Sequence, residues 1–207
     1  MKPISPVAYL ALLMLALAIP PHASSQSAEL KPEQCLGGGP DAPIRIEVFS
    51  DFECPACREF YLHTIRPVLK EYSSLGKVCV VYHEFPLPSH KYSRQAAQYS
   101  KAAQKLGRQQ WTAVLDALYE NQGKWSQDGS VDETVFKALG ADEFYRLKQL
   151  LLLPSIDAAI NSEIAMGEKK EVNSTPTCFA YALGREQKVV GGFPYPAMKD
   201  FIDRNMK

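Results

Sequence analysis

Apolar and polar residues alternate along Ile44-Arg45-Ile46-Glu47-Val48-Phe49, which puts Ile44, Ile46 and Val48 on one side of an extended segment. Val78-Cys79-Val80-Val81-Tyr82-His83 is a β-branched run and predicts a second strand. Between the two the period lengthens. Tyr61, Ile65, Val68, Leu69 and Tyr72 fall at i, i+4, i+7, i+8 and i+11, the spacing of one buried helix face. Pro55 suits the first helical position, where its missing N–H costs nothing. Pro67 falls inside the pattern and predicts a kink, and Gly76 ends it.

From Tyr92 to about Lys170 the spacing is helical throughout. Tyr92, Ala96, Tyr99, Ala103 and Leu106 form one stripe, and Trp111, Val114, Leu115 and Leu118 another. Ser130-Val131-Asp132-Glu133 has the form of a capping box opening a third helix. Phe144, Leu147 and Leu151 continue, Pro154 breaks the run, and Ile156, Ile160 and Ile164 mark a last long helix. These stripes read as core packing rather than as a cofactor pocket. A block of this length without a strand signal is too long for a loop, so it reads as a helical insertion at about 91–171. After Asn173-Ser174-Thr175-Pro176 the strand pattern returns in Thr177–Leu183 and Gln187–Val190, with a hairpin signal at Gly184-Arg185. A closing helix over Pro196–Met206 turns Met198, Phe201 and Ile202 inward. The order is strand, helix, strand, helical block, hairpin, helix. It predicts an α/β fold whose first two strands are parallel through a right-handed crossover. The hairpin adds antiparallel strands, so the central sheet is mixed.

Length and charge narrow the picture. A chain of 207 residues holds one domain, or one domain with an insertion. The formal net charge is zero and the pI near 6.9, so nothing argues for nucleic acid or an anionic membrane surface as a partner. The N-terminus changes the picture more. Lys2 and the terminal amine precede an apolar run from Val7 to Ile19, followed by Pro20, Pro21 and small residues. This is the form of a secretory signal peptide, taken as 1–25. The run is short against the ~20 residues of a spanning helix, so a membrane anchor is the secondary reading. Residues 26–40 read as a flexible segment and 41–207 as the folded domain. The location implied is periplasmic or otherwise extracytoplasmic, where disulfides persist and five cysteines need partners or roles.

Two of the five form Cys54-Pro55-Ala56-Cys57, set where the first strand runs into a helix. The unpaired N–H groups and partial positive charge of a helix N-terminus favour a thiolate. Free cysteine has a pKa of about 8.5, and this setting lowers it to roughly 3.5–7.5. Other readings fit less well. Structural zinc wants four ligands, but there is no second pair, and His63, His83 and His90 are isolated. Haem attachment needs histidine after the second cysteine, where Arg58 stands. A purely structural disulfide gains little from closing so short a loop. The redox reading remains, with no metal and no cofactor beyond the Cys54–Cys57 disulfide.

Four segments together carry a resemblance: Gly39-Pro40-Asp41-Ala42-Pro43-Ile44, Phe49 through Cys57, Phe85-Pro86-Leu87, and Ser174-Thr175-Pro176-Thr177-Cys178-Phe179. Over about residues 38–204 the chain resembles the DsbA-like branch of the thioredoxin superfamily. The resemblance implies a thioredoxin fold with a helical insertion and an exported thiol–disulfide oxidoreductase acting on cysteine-containing proteins. It implies Cys54 as the exposed nucleophile, Cys57 as the buried resolving thiol, Pro176 as a cis-proline beside them, and Thr175 as a residue offering backbone hydrogen bonds to an extended substrate. It also implies re-oxidation by a membrane quinone-linked partner. On this reading oxidation is favoured over reduction or isomerisation. A non-catalytic peptide-binding module is the reading from another class.

Two positions depart from the family. An acidic residue is expected six positions before the first cysteine, and Val48 stands there, with Glu47 on the opposite strand face; another group or water must then relay the proton. Ala56 replaces an imidazole that helps hold the thiolate in DsbA, which predicts a less depressed Cys54 and a less oxidising disulfide. Glu53 would raise Cys54 further if it lies close. Potentials in the superfamily span about −120 to −270 mV. The remaining cysteines have open assignments. Cys79 reads as a buried inert thiol and Cys178 as structural. Those two are too far apart to pair, because the Cys54-bearing strand lies between theirs. Cys35 could pair with Cys79, with Cys178 or with another chain. His83, Glu84 and His90 flank Phe85-Pro86-Leu87 without an assigned part.

Overall fold

The computed structural model describes residues 34–206. The expected signal peptide at 1–25 lies outside them. Strand β1 (Cys35–Gly37) is followed by β2 (Ile44–Ser50), a helical run, β3 (Val78–Glu84), six helices, the hairpin β4 (Thr177–Ala182) and β5 (Arg185–Val190), and a closing helix. The five strands of the described residues form one sheet in the order β1-β3-β2-β4-β5. β2 and β3 are parallel, and every other pair is antiparallel. The sheet is mixed, as the pattern predicts, and with its helical insertion this is the thioredoxin fold that the resemblance implies.

The helical run after β2 has three parts. α1 (Pro55–Phe60) passes into a π-helical stretch at Tyr61–Ile65, and α2 (Arg66–Glu71) resumes the regular helix. Pro67 is the physical reason. It cannot donate to the preceding turn, and it stands at the start of α2. The widened turn absorbs the defect that the sequence predicts as a kink. The insertion comprises α3 (Ser93–Leu106), α4 (Arg108–Glu120), α5 (Gln122–Asp128), α6 (Val131–Leu139), α7 (Ala141–Leu151) and α8 (Pro154–Lys169), and α9 (Tyr195–Asn205) ends the fold. No single helix among the described residues is long and apolar enough to cross a membrane.

The two-residue period of β2 and β3 decides where the core lies. Ile44, Ile46, Val48, Val78, Val80 and Tyr82 face one side and join the main core with α1–α4 and α9. Phe49, Phe85, Val172 and Phe179 make a second cluster on the other face, against Ile164 of α8. α8 approaches closely at Gly167, where an added Cβ would stand 2.5 Å from the Phe85 ring.

Four local expectations change. Cys35 and its neighbours, placed by sequence in a flexible segment, form β1 at the sheet edge. Cys79 is no free thiol: it is joined to Cys35 by a disulfide, which settles the partner of Cys35 and lies buried with Val81. The hairpin loop is Leu183-Gly184, one residue earlier than predicted, since Ala182 pairs with Arg185. Both loop residues have positive φ, 51° and 72°, the turn geometry that two-residue hairpins favour. The capping box at Ser130 does not form. The Ser130 hydroxyl has no hydrogen bond, and Glu133 instead binds Lys124 and Lys137.

Candidate active site

β2 ends at Ser50, and Asp51-Phe52-Glu53 carries the chain over the sheet edge to Cys54, the residue that caps α1. Its backbone is extended, φ −73° and ψ 120°, and Pro55 occupies the first helical turn. Pro55 and Ala56 are exposed between the two cysteines. The insertion braces this loop from outside the sheet. Buried Gln122 of α5 donates through Nε2 to the carbonyls of Phe52 at 2.7 Å and Cys54 at 3.0 Å. Arg58 Nε donates to the Tyr119 carbonyl of α4 at 3.0 Å.

Cys54 and Cys57 are both free thiols, in unequal surroundings. Cys54 retains 8% of its surface and Cys57 none. The Cys57 thiol donates to the Cys54 sulfur, and this is the largest influence on Cys54. Burial opposes it. The Thr175 hydroxyl and the N–H groups of Cys57 and Ala56 add to the lowering, and the net result is about 5. Burial pushes Cys57 well above the ordinary thiol range, and the neighbouring Cys54 charge adds to it. At neutral pH the pair therefore holds one thiolate and one proton, and the thiolate is the less deeply buried sulfur; Cys54, expected to be exposed, is itself largely covered.

The partner segment enters from the far end of the chain. The Thr175–Pro176 peptide bond is cis, and the Thr175 carbonyl lies 3.4 Å from Cys54 Sγ. Pro176 is buried, and its carbonyl accepts the Gly191 N–H at 2.7 Å. The structure thus brings Cys54, Cys57, Thr175 and Pro176 together. An open cavity of about 650 Å³ adjoins Ala56, walled by Phe60, Phe193, Pro194 and Tyr195.

Sequence reasoning missed the centre that holds the loop, Asp51. Its carboxylate is almost fully buried and accepts four hydrogen bonds. Oδ1 takes the Glu53 N–H at 2.7 Å and the Ser93 hydroxyl at 2.6 Å; Oδ2 takes the Leu87 N–H at 2.7 Å and His90 Nδ1 at 2.9 Å. The Asp51 N–H in turn points at Cys57 Sγ, 3.4 Å away. Burial pulls the His90 imidazole down, but Asp51, with Glu53 and Cys54, more than offsets it and holds His90 above its usual value. A titratable imidazole with a raised pKa thus stands within electrostatic reach of Cys54 although position 56 supplies none. Glu53 binds the Tyr92 N–H at 2.7 Å. The only local signal for this centre was the histidine just after Phe85-Pro86-Leu87. Cys178 is fully buried in β4 beside Val48, and burial raises it far above the thiol range, with Glu47 adding. Among the described residues no group of three or more His, Cys, Asp or Glu side chains is arranged to hold a metal ion.

Comparison with known proteins agrees with this geometry. A family model described as thioredoxin matches residues 31–192. A protein of Bacillus cereus named probable disulfide bond formation protein D is 26% identical over 179 residues, 84% of this chain and 79% of its own. A thioredoxin-like oxidoreductase from Silicibacter pomeroyi superposes with a TM-score of 0.65 at 25% identity, covering 81% of this chain and 88% of that one. The thiol–disulfide exchange protein α-DsbA2 of Wolbachia pipientis gives a TM-score of 0.68 at 19% identity over 81% of this chain and 84% of its own.

Proposed function

Because the chain belongs to the thioredoxin superfamily, in its DsbA-like branch, and is a thiol–disulfide oxidoreductase, we propose that it works as an exported protein oxidase. In this reading Cys54 is the reacting sulfur and Cys57 the resolving one. A substrate thiolate attacks Cys54 in the Cys54–Cys57 disulfide. The S–S bond breaks and its electron pair goes to Cys57, leaving substrate and Cys54 in a mixed disulfide. A second substrate thiolate then attacks the substrate sulfur of that bond and expels Cys54 as thiolate. The substrate has lost two electrons, and the enzyme holds one thiolate and one thiol. Outside the cytoplasm a membrane quinone-linked partner would restore the disulfide.

The observation that carries the direction is the depressed Cys54. A sulfur held near 5 stabilises the reduced enzyme and so makes its disulfide a stronger oxidant. That value falls between about 3.5 for DsbA and about 7 for thioredoxin. The buried Cys35–Cys79 disulfide supports export, since structural disulfides belong to oxidising compartments. The cavity beside Ala56 supports a protein substrate: α1 and the Phe193–Tyr195 segment give it apolar walls two residues along the chain from Cys54, and the Thr175 backbone beside the sulfur offers strand-like pairing.

A redox titration against glutathione tests the direction. The oxidase reading expects a potential well above thioredoxin's roughly −270 mV; a value near thioredoxin's would make the protein a reductase or isomerase. Replacing Cys54 by serine separates catalysis from the binding-module reading. The variant should lose all exchange with dithiol peptides, whereas a pure binding module would be unaffected.

A further inference from the structure

The helical insertion reaches the Cys54–Cys57 motif on both sides. Before it, Gln122 directs its side-chain amide at the loop, donating to the Phe52 carbonyl at 2.7 Å and to the Cys54 carbonyl at 3.0 Å. An amide has two protons, so both are used on this one loop. After it, Arg58 donates through Nε to the Tyr119 carbonyl at 3.0 Å. Tyr119 lies in the last turn of α4 and Gln122 opens α5, so one corner of the insertion holds the motif from both ends.

That corner is tied from within. α5 buries two side chains, Gln122 and Trp125. The Trp125 indole N–H donates to the Leu118 carbonyl of α4 at 2.6 Å, which fixes the direction from which α5 presents its amide. Gln122 keeps only 6% of its surface, and a buried amide is placed by its hydrogen bonds.

We propose that Gln122 is a positioning residue for the reacting sulfur: its amide sets the loop at the entry to α1 and favours the reduced, ionised form of Cys54 over the disulfide. The proposal rests on Cys54 being the reacting sulfur. Gln122 transfers neither proton nor electron; it acts through the backbone of the loop.

Dipoles give the direction. Phe52 is fully buried and Cys54 nearly so, and bare carbonyl oxygens there would be unmet acceptors that add negative potential beside a thiolate. Gln122 covers both with the positive end of one amide. The Cys54 carbonyl also accepts the first backbone bond of α1, from the Arg58 N–H at 3.2 Å. The amide therefore steadies the residue at which the helix begins, and keeps the N–H groups of Ala56 and Cys57 directed at the sulfur. The sulfur is anionic in the reduced enzyme and neutral in the disulfide. A positive dipole at this place thus acts on one redox form and not on the other.

The test uses Gln122→Met in the full chain, which keeps the length of the side chain and removes both donors. The equilibrium with glutathione should move roughly threefold to tenfold toward the disulfide form, the worth of one hydrogen bond. The midpoint of Cys54 alkylation should rise with it. Urea denaturation should weaken the reduced protein more than the oxidised one by the same factor, since the equilibria form one cycle. Thr134→Val, which removes an α6 hydroxyl bound to the Ser130 carbonyl, is the control and should weaken both forms alike. Gln122→Glu gives a second reading. Its carboxyl donates one hydrogen bond when protonated and none when ionised, so its departure from wild type in the glutathione equilibrium should grow with pH. A Gln122→Met protein with the wild-type equilibrium and midpoint, weakened equally in both redox forms, overturns the proposal, and so does a Gln122→Glu protein that matches wild type at every pH. Failure of the underlying reading looks different: peptide oxidation would survive Cys54→Ser.

Discussion

Cys54 Sγ lies 3.4 Å from the carbonyl oxygen of Thr175, 121 positions later in the chain. A thiol can donate to that carbonyl and a thiolate cannot, so ionisation of Cys54 frees the acceptor for a substrate N–H while the Cys57 thiol donates to the sulfur. Alkylation of the reduced protein should therefore follow a single titration with a midpoint near 5, with Cys57 unlabelled until the protein unfolds. Mass-resolved labelling against pH reads both.

His90 gives the native state a pH dependence of definite sign. Its folded value is raised, so its contribution is full below about 6.5, the ordinary histidine value, and is lost as pH rises through the raised one. Unfolding free energy should fall across that window in the wild type and stay flatter in His90→Gln. At pH 6 the variant should lose about 1–2 kcal/mol, the lower part of the charge-assisted range, because the imidazole keeps 26% of its exposure. The same variant should raise the Cys54 alkylation midpoint. Urea denaturation at several pH values provides the check.

The Cys35–Cys79 disulfide closes a separation of 44 residues. In a chain-entropy treatment that loop is worth at most about 4 kcal/mol. Cys35→Ala with Cys79→Ala should lower stability by about 2–4 kcal/mol and leave the rate of peptide oxidation unchanged below the melting range. The pair packs with Val81 on the sheet face away from Tyr82 and the main core. Calorimetry and a peptide-oxidation assay on the same sample separate the two effects.

What the sequence revealed depended on how far apart the cooperating residues lie. β2, β3 and the hairpin were readable because alternation is local to each strand. β1 was not: three residues carry too little pattern, and what holds them is a bond to a cysteine on another strand. Cys54, Cys57 and Pro176 were legible through motif and resemblance. Asp51 was invisible because its four donors come from Glu53, Leu87, His90 and Ser93, which only the return of the chain after β3 gathers around it. Val48 and Ala56 were read correctly as lacking polar helpers. An imidazole does approach, His90 from the loop after β3, bound to Asp51.

Cys178 has one further consequence. Once β4 lies against β2, this thiol is sealed in the sheet beyond the reach of any disulfide, the enzyme's own included. Before that, all five cysteines of the chain are ordinary thiols. Folding is what sorts them: one pair to join the edge strand to its neighbour, one pair to meet at the start of a helix, one sulfur to be buried in the sheet. β4 follows the whole helical insertion in the chain, so the buried sulfur is also the last to be made. Until its strand docks, that sulfur has the same access to a disulfide as the other four.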